Sequence, residues 1–246
     1  MQVYLNRIDG WDDAILTMFY SKRTITREFE REVRNAVFES TAQSPYYNET
    51  VGTLVDSVYW DTVKGWLTKL FKWLPHHTTM GRFIDLSFTV YGMHRAGQDD
   101  WDAHAQRYNN RIIRSSTRLA DFKSGEVSEY YADKILPTDV ALAAMGIATP
   151  DEVVFDGKTY VRAVNGYILK GMENSKDVKR GLYMLSIPSD FIFKVNLTEF
   201  AHVYKERRLE GTANPEVKKA CEAMADKLYY ASKGFITRDL LMSIKN

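Results

Sequence analysis

The sequence predicts a mixed α+β fold in one domain. Three patterns point to it: an Asp-Gly pair between two β-prone runs at Val153–Val164, an apolar stripe at helical spacing from Trp60 to Leu74, and a β-branched and aromatic run at Ile84–Tyr91. No repeat, low-complexity linker or clear domain boundary interrupts the 246 residues, and 45% hydrophobic content supplies a sizeable core.

Taken in order, Val3–Leu5 reads as a strand. Asp9-Gly10 is a turn signal, and Asp12-Asp13 precede an apolar run, so strand, turn and helix follow one another. From Thr24 to Phe38 charges interleave with Phe29, Val33 and Val37 at fourfold spacing, the stripe of an amphipathic helix whose charges face water. In the next helix Trp60, Val63, Leu67, Leu70, Phe71 and Leu74 share one face, and Trp66 and Trp73 widen it, as deep burial or a subunit contact would require. After the strand at 84–91 comes a polar, irregular region. Pro137-Thr138-Asp139 starts a short Ala-rich helix with a stop or kink at Gly146. Asp156-Gly157 closes a hairpin. Asn214, Pro215 and Glu216 form a helix start, with Val217, Cys221, Met224 and Leu228 on one face.

Charge narrows the partners. Lys+Arg 33 against Asp+Glu 32 leaves no general field for nucleic acid or an anionic membrane, so an anionic ligand must be held by a local basic cluster. A single cysteine, Cys221, is expected in the core and excludes an internal disulfide framework. No apolar stretch approaches a membrane span and the first residues lack signal-peptide order, so a cytoplasmic protein is expected. His76-His77 have no companion ligands at metal spacing, and no metal site is expected. No glycine-rich phosphate loop, zinc motif or nucleophile elbow is present. What stands out is the run Arg107, Arg111, Arg114, Ser115, Ser116, Thr117, Arg118, where guanidinium forks and hydroxyls of the kind that bind phosphate oxygens alternate; an exposed basic helix is the competing reading.

The segment Arg180–Arg208, RGLYMLSIPSDFIFKVNLTEFAHVYKERR, resembles the flavin-dependent thymidylate synthase family: an arginine, a short apolar strand, a turn, a second strand ending in asparagine, then a helix carrying histidine and arginine. HTTMGRFIDLSF, His77–Phe88, is similar to that family's His-Thr-Ser turn leading into a core strand, and DDAILTMFYSKR is similar to its first helix. The resemblance covers residues 1–246 as a single domain, with insertions around Ala36–Val58 and Gly125–Ala163. It implies a twisted sheet packed by helices, a homotetramer with sites between subunits, and conversion of dUMP to dTMP using FAD, NADPH and methylenetetrahydrofolate. By the same resemblance Ser116, Arg118 and Arg180 would hold the nucleotide phosphate, and Arg207 would face the base as the catalytic guanidinium, with Arg208 its rival. Thr79, Asn196 and His202 would touch the flavin.

The chain also departs from that pattern. The family's arginine-rich signature is reduced at Gln106–Arg118 to its closing Ser116 and Arg118, Arg82-Phe83 replace Glu-His, and Thr198 replaces an arginine. These losses fall mainly on flavin contacts. Binding of a pyrimidine deoxynucleotide is therefore expected more strongly than FAD binding, and a nucleotide-binding regulator or structural subunit without flavin chemistry is the alternative.

Overall fold

The computed structural model describes residues 1–20, 25–43, 50–103, 111–114, 126–175, 178–179, 181–209 and 214–245. They form two compact units: one made of Gln2–Val90, Asp100–Ile113 and Ile192–Asn246, the other of Met1, Tyr91–Asp99 and Arg114–Phe191.

The first unit is a sheet packed by helices. Strand β1 (Gln2–Asp9), β2 (Asp85–His94), β3 (Arg111–Arg114) and β7 (Pro188–Asn196) lie in the order β1-β2-β7-β3, with β2 and β7 each crossing the boundary between the units. Alternation fixes which face is inside: Leu86, Phe88 and Val90 of β2 and Phe191, Phe193 and Val195 of β7 are buried, while Tyr91 and Ile192 stay half exposed. Helix α1 (Trp11–Tyr20) follows the Gly10 turn, and α2 (Arg27–Glu39) and α3 (Trp60–Trp73) pack against it. Thr26 caps α2 by accepting from Phe29 N. Arg34 ties α2 to α1 through Asp12 at 2.5 Å and Asp13 at 3.0 Å.

The broad aromatic face of α3 is satisfied inside this unit. Trp66 meets Phe19 and Phe29 edge-on, the Lys233 ammonium lies over Trp60, and Val63, Leu67, Leu70 and Phe71 are buried. Trp60, Trp66 and Trp73 are themselves only partly buried. After a 3-10 turn (Thr78–Phe83) and β2 comes α4 (Arg95–Ala103), a helix where the sequence predicted irregular chain; its polar composition hides it, because it carries no apolar stripe. Helices α6 (Leu197–Leu209), α7 (Pro215–Ala231) and α8 (Arg238–Ser243) close the unit, with α7 against β1 and α6 against both α7 and α8. Asn214 caps α7 as its spacing predicted, and the predicted stripe is buried. Burial pushes the Cys221 thiol up, so it packs as a neutral side chain.

The second unit contains the predicted hairpin, extended to a three-stranded meander of β4 (Glu152–Phe155), β5 (Lys158–Ala163) and β6 (Gly166–Leu169), all antiparallel. Asp156 and Gly157 have φ of 48° and 70°, the left-handed pair that a two-residue turn between twisted strands requires. Before it, α5 (Thr138–Ala144) stops at Gly146: Ile147 N returns to Leu142 O and Gly146 N to Ala143 O, a Schellman ending. The short apolar strand expected after Arg180 is absent at Leu182–Ile187. That segment bends instead, with Leu182 N bonding Lys179 O and Ile187 N bonding Met184 O, because turn bonds satisfy the backbone that a strand neighbour would otherwise pair.

Among the described residues no helix is long and apolar enough to cross a membrane, and no group of three or more His, Cys, Asp or Glu side chains could hold a metal. The first predicted insertion is pinned at its far end: Ile8 N bonds Val51 O, Trp11 Nε1 bonds Gly52 O, and Leu54 N bonds Ala231 O. Gly52 makes this possible. Its φ is +83° and a Cβ there would stand 1.7 Å from Ile8 O. Gly52→Ala is expected to lose about 1–3 kcal/mol for the left-handed backbone alone, and more for the clash; a urea unfolding midpoint equal to that of the parent protein would contradict this account.

Candidate functional site

The site is built where β7 becomes α6. Asn196 ends the strand, and its Oδ1 accepts from Glu199 N at 3.0 Å, so the last strand residue also caps the helix. Leu197 N then bonds Ile84 O at 2.8 Å, and the Thr198 hydroxyl donates to Thr78 O at 2.6 Å. These two bonds bring the 3-10 turn against the first turn of α6. Thr79 is next in chain to the bonded carbonyl, and His202 stands four residues after Thr198 on the same side of the helix. Thr78, Asn196 and Thr198 are thus tied together at one junction, with Thr79 beside it in the chain and His202 one turn along α6. Thr79 is exposed, Asn196 is buried, and His202 is partly buried with Nδ1 3.9 Å from a Glu206 carboxylate oxygen.

Two of the junction's polar groups are spent within the fold, on atoms that a flavin would otherwise meet. Asn196 has committed its carbonyl to the helix and Thr198 its proton to Thr78 O, while Phe83 presents a half-exposed ring without hydrogen-bonding capacity. Thr79 and Arg82 are exposed and remain as groups that a ligand could meet.

At the other end of α6 the two rival arginines have opposite settings. Arg207 is 1% exposed, donates Nη1 to Asp100 Oδ1 at 3.1 Å and Nη2 to the Asp100 carbonyl, and leaves Nε buried without a hydrogen-bond partner among the described residues. Its fork is directed to α4 rather than to open surface. Arg208 is nearly half exposed; it lies over the Tyr204 ring, bonds the Tyr204 hydroxyl at 3.1 Å and approaches Glu222 at 3.4 Å. Burial and the neighbouring Glu222 push the Tyr204 phenol up, which keeps it neutral and donating to Glu222.

Ser116, Arg118 and Arg180 lie outside the described residues. Of the wider basic run, Arg111–Arg114 form β3 rather than a helix, and Arg114 pairs with Asp99 at 2.7 Å. Asp100 is the residue that sequence reasoning missed. Nothing in the pattern 95–103 marks it as the partner of an arginine 107 residues later, and the only local signal is the acidic pair Asp99-Asp100 beside the buried Trp101.

Comparison with known proteins gives a fold. The chain is similar to the flavin-dependent thymidylate synthase ThyX from Helicobacter pylori complexed with FAD and dUMP, with a TM-score of 0.52, 12% identity and all of both chains covered. A second structure of ThyX from Helicobacter pylori with FAD and dUMP gives a TM-score of 0.50 at 12% identity, covering 98% of this chain and 100% of that one. No family model matches the sequence, and no curated protein does. The fold is thus of the flavin-dependent thymidylate synthase type.

Arg207 and Arg208 respond differently to loss of their partners. Asp100→Ala strands a buried guanidinium and is expected to cost about 3 kcal/mol, whereas Arg208→Ala removes a surface pair and should stay within about 1 kcal/mol. Equal losses in urea unfolding would show that Arg207 is not held as described.

Proposed function

We propose that this protein binds a pyrimidine deoxynucleotide and belongs, by chemistry, to enzymes that modify the pyrimidine C5 position, as in conversion of dUMP to dTMP. The observation that carries this reading is the full-length fold likeness to two structures that hold dUMP together with FAD. Ser116, Arg118 and Arg180 would take the phosphate, where serine hydroxyls and guanidinium forks make charge-assisted bonds. For the base, Arg208 has the exposure to meet a ring, whereas Arg207 would have to release Asp100 to do so. A guanidinium at that position would stabilise negative charge developing on the pyrimidine.

Reduced FAD would supply hydride and methylenetetrahydrofolate the carbon unit, with NADPH as reductant. Within this proposal Thr79, Asn196 and His202 form the flavin side, and a homotetramer would bring the phosphate and flavin sides of different subunits together. A second reading, a nucleotide-binding regulator or structural subunit, is favoured by one observation: the hydroxyl of Thr198 is spent within the fold where the family pattern has an arginine.

Nucleotide binding is tested by thermal unfolding. At about 100 times its Kd, dUMP adds about 2.7 kcal/mol, which raises the Tm by roughly 5–10 °C for a chain of this size. Arg180→Ala should lose most of that rise. No shift with any pyrimidine deoxynucleotide at about millimolar concentration would reject the reading.

FAD separates the two versions. Titration of the FAD-free protein, followed by flavin fluorescence, is expected to show weak binding, because Phe83 and Thr198 lack the donors they replace. Stoichiometric, tight binding would place the flavin contacts elsewhere and favour the enzyme; a colourless protein as purified favours the regulator.

A further inference from the structure

The second unit holds a cavity of about 290 Å³ that the nucleotide reading does not use. It is close to the lower end of ligand pockets, which run from roughly 300 to 1,000 Å³. One wall is the β5–β6 hairpin, with Arg162 and the buried Ile168; the other is lined by Glu173, Asn174, Lys179 and Leu182.

The walls are tied together. Asn165, at φ 60° in the hairpin turn, reaches Leu182 O with its Nδ2 at 3.4 Å, and Gly171 N donates to the Glu173 carboxylate at 2.8 Å. That backbone bond holds the Glu173 carboxyl below the usual carboxylate range, so its charge is present in the cavity. Arg114, Lys134 and Lys170 are each paired with a carboxylate, whereas Arg162 and Lys179, which line the cavity, have no ion-pair partner among the described residues, as Lys158 outside it has none. Two uncommitted cations beside one anchored carboxylate, over an apolar floor, leave a net positive lining for one oxyanion and an apolar surface for the body that carries it.

We propose that this cavity is a second ligand site, for a small organic anion in which a phosphate or carboxylate is attached to a compact apolar or aromatic body. Arg162 and Lys179 bind the oxyanion, and Ile168 and Leu182 cover the body. Glu173 limits the charge accepted, so polyphosphates are excluded both by repulsion and by volume.

Lys179 directly precedes Arg180, to which the nucleotide phosphate is assigned, so the test must separate the two sites. The full chain is titrated by calorimetry with phenyl phosphate, benzoate and inorganic phosphate, each with and without saturating dUMP. Phenyl phosphate or benzoate should bind at least tenfold tighter than inorganic phosphate and should not be displaced by dUMP; whichever binds tighter identifies the oxyanion. The double variant Arg162→Gln/Lys179→Gln should weaken that probe at least tenfold, Glu173→Gln should tighten phenyl phosphate, and Leu182→Trp, which fills the cavity without touching charge, should also abolish binding. A dUMP response without probe binding rejects this site alone, and probe binding without a dUMP response rejects the nucleotide reading alone. The proposal is overturned if neither organic probe binds, if the double variant binds as well as the parent, or if dUMP displaces the probe.

Discussion

In the first unit the chain turns from β7 into α6 through three hydrogen bonds, and the placement of Asn196 and of the first turn of α6 depends on them. Asn196 caps the helix, Leu197 N reaches the carbonyl that precedes β2, and the Thr198 hydroxyl reaches the 3-10 turn. A helix start leaves backbone donors without partners. Here one of them is satisfied by the strand's own last side chain, so strand and helix share a fixed corner. Phe200, one turn into the helix, then stacks on Phe88 of β2, which anchors the corner to the sheet.

The same economy explains the tension between fold and cofactor. A side chain that closes the corner is not free to serve a ligand. Asn196 and Thr198 are structural first, and a flavin-binding role would have to be added on the atoms they leave uncommitted. A fold likeness at 12% identity is compatible with this, because alternating strands and buried helix faces require a hydrophobic pattern rather than particular residues.

Charge is sorted by burial. Arg34, Arg208 and Arg238 each meet carboxylates at the surface, where solvent screening leaves such pairs worth little individually. Arg207 is the exception, a guanidinium taken out of water and matched to Asp100, whose removal leaves an uncompensated charge. Arg162 and Lys179 are a third case: solvated or partly solvated cations that line the cavity of the second unit and form no ion pair among the described residues.

Local pattern in the sequence determined the helices at 27–39, 60–73 and 215–231, the Gly146 stop, the Asp156-Gly157 hairpin and the burial of Cys221, because capping, periodicity and turn chemistry act within a few residues. Thr79, Asn196 and His202 were singled out only by the family resemblance. Only tertiary structure decided what those patterns left open: that the 95–103 stretch is helical, that 182–187 is not a strand, and that the wide face of α3 closes on Phe19 and Phe29. Tertiary structure likewise turned Arg207 inward and Arg208 outward. Adjacent residues on a helix point about 100° apart, so the register of α6 against α4 makes one a buried partner of Asp100 and the other a surface cation, and that register is set by packing between segments 107 residues apart.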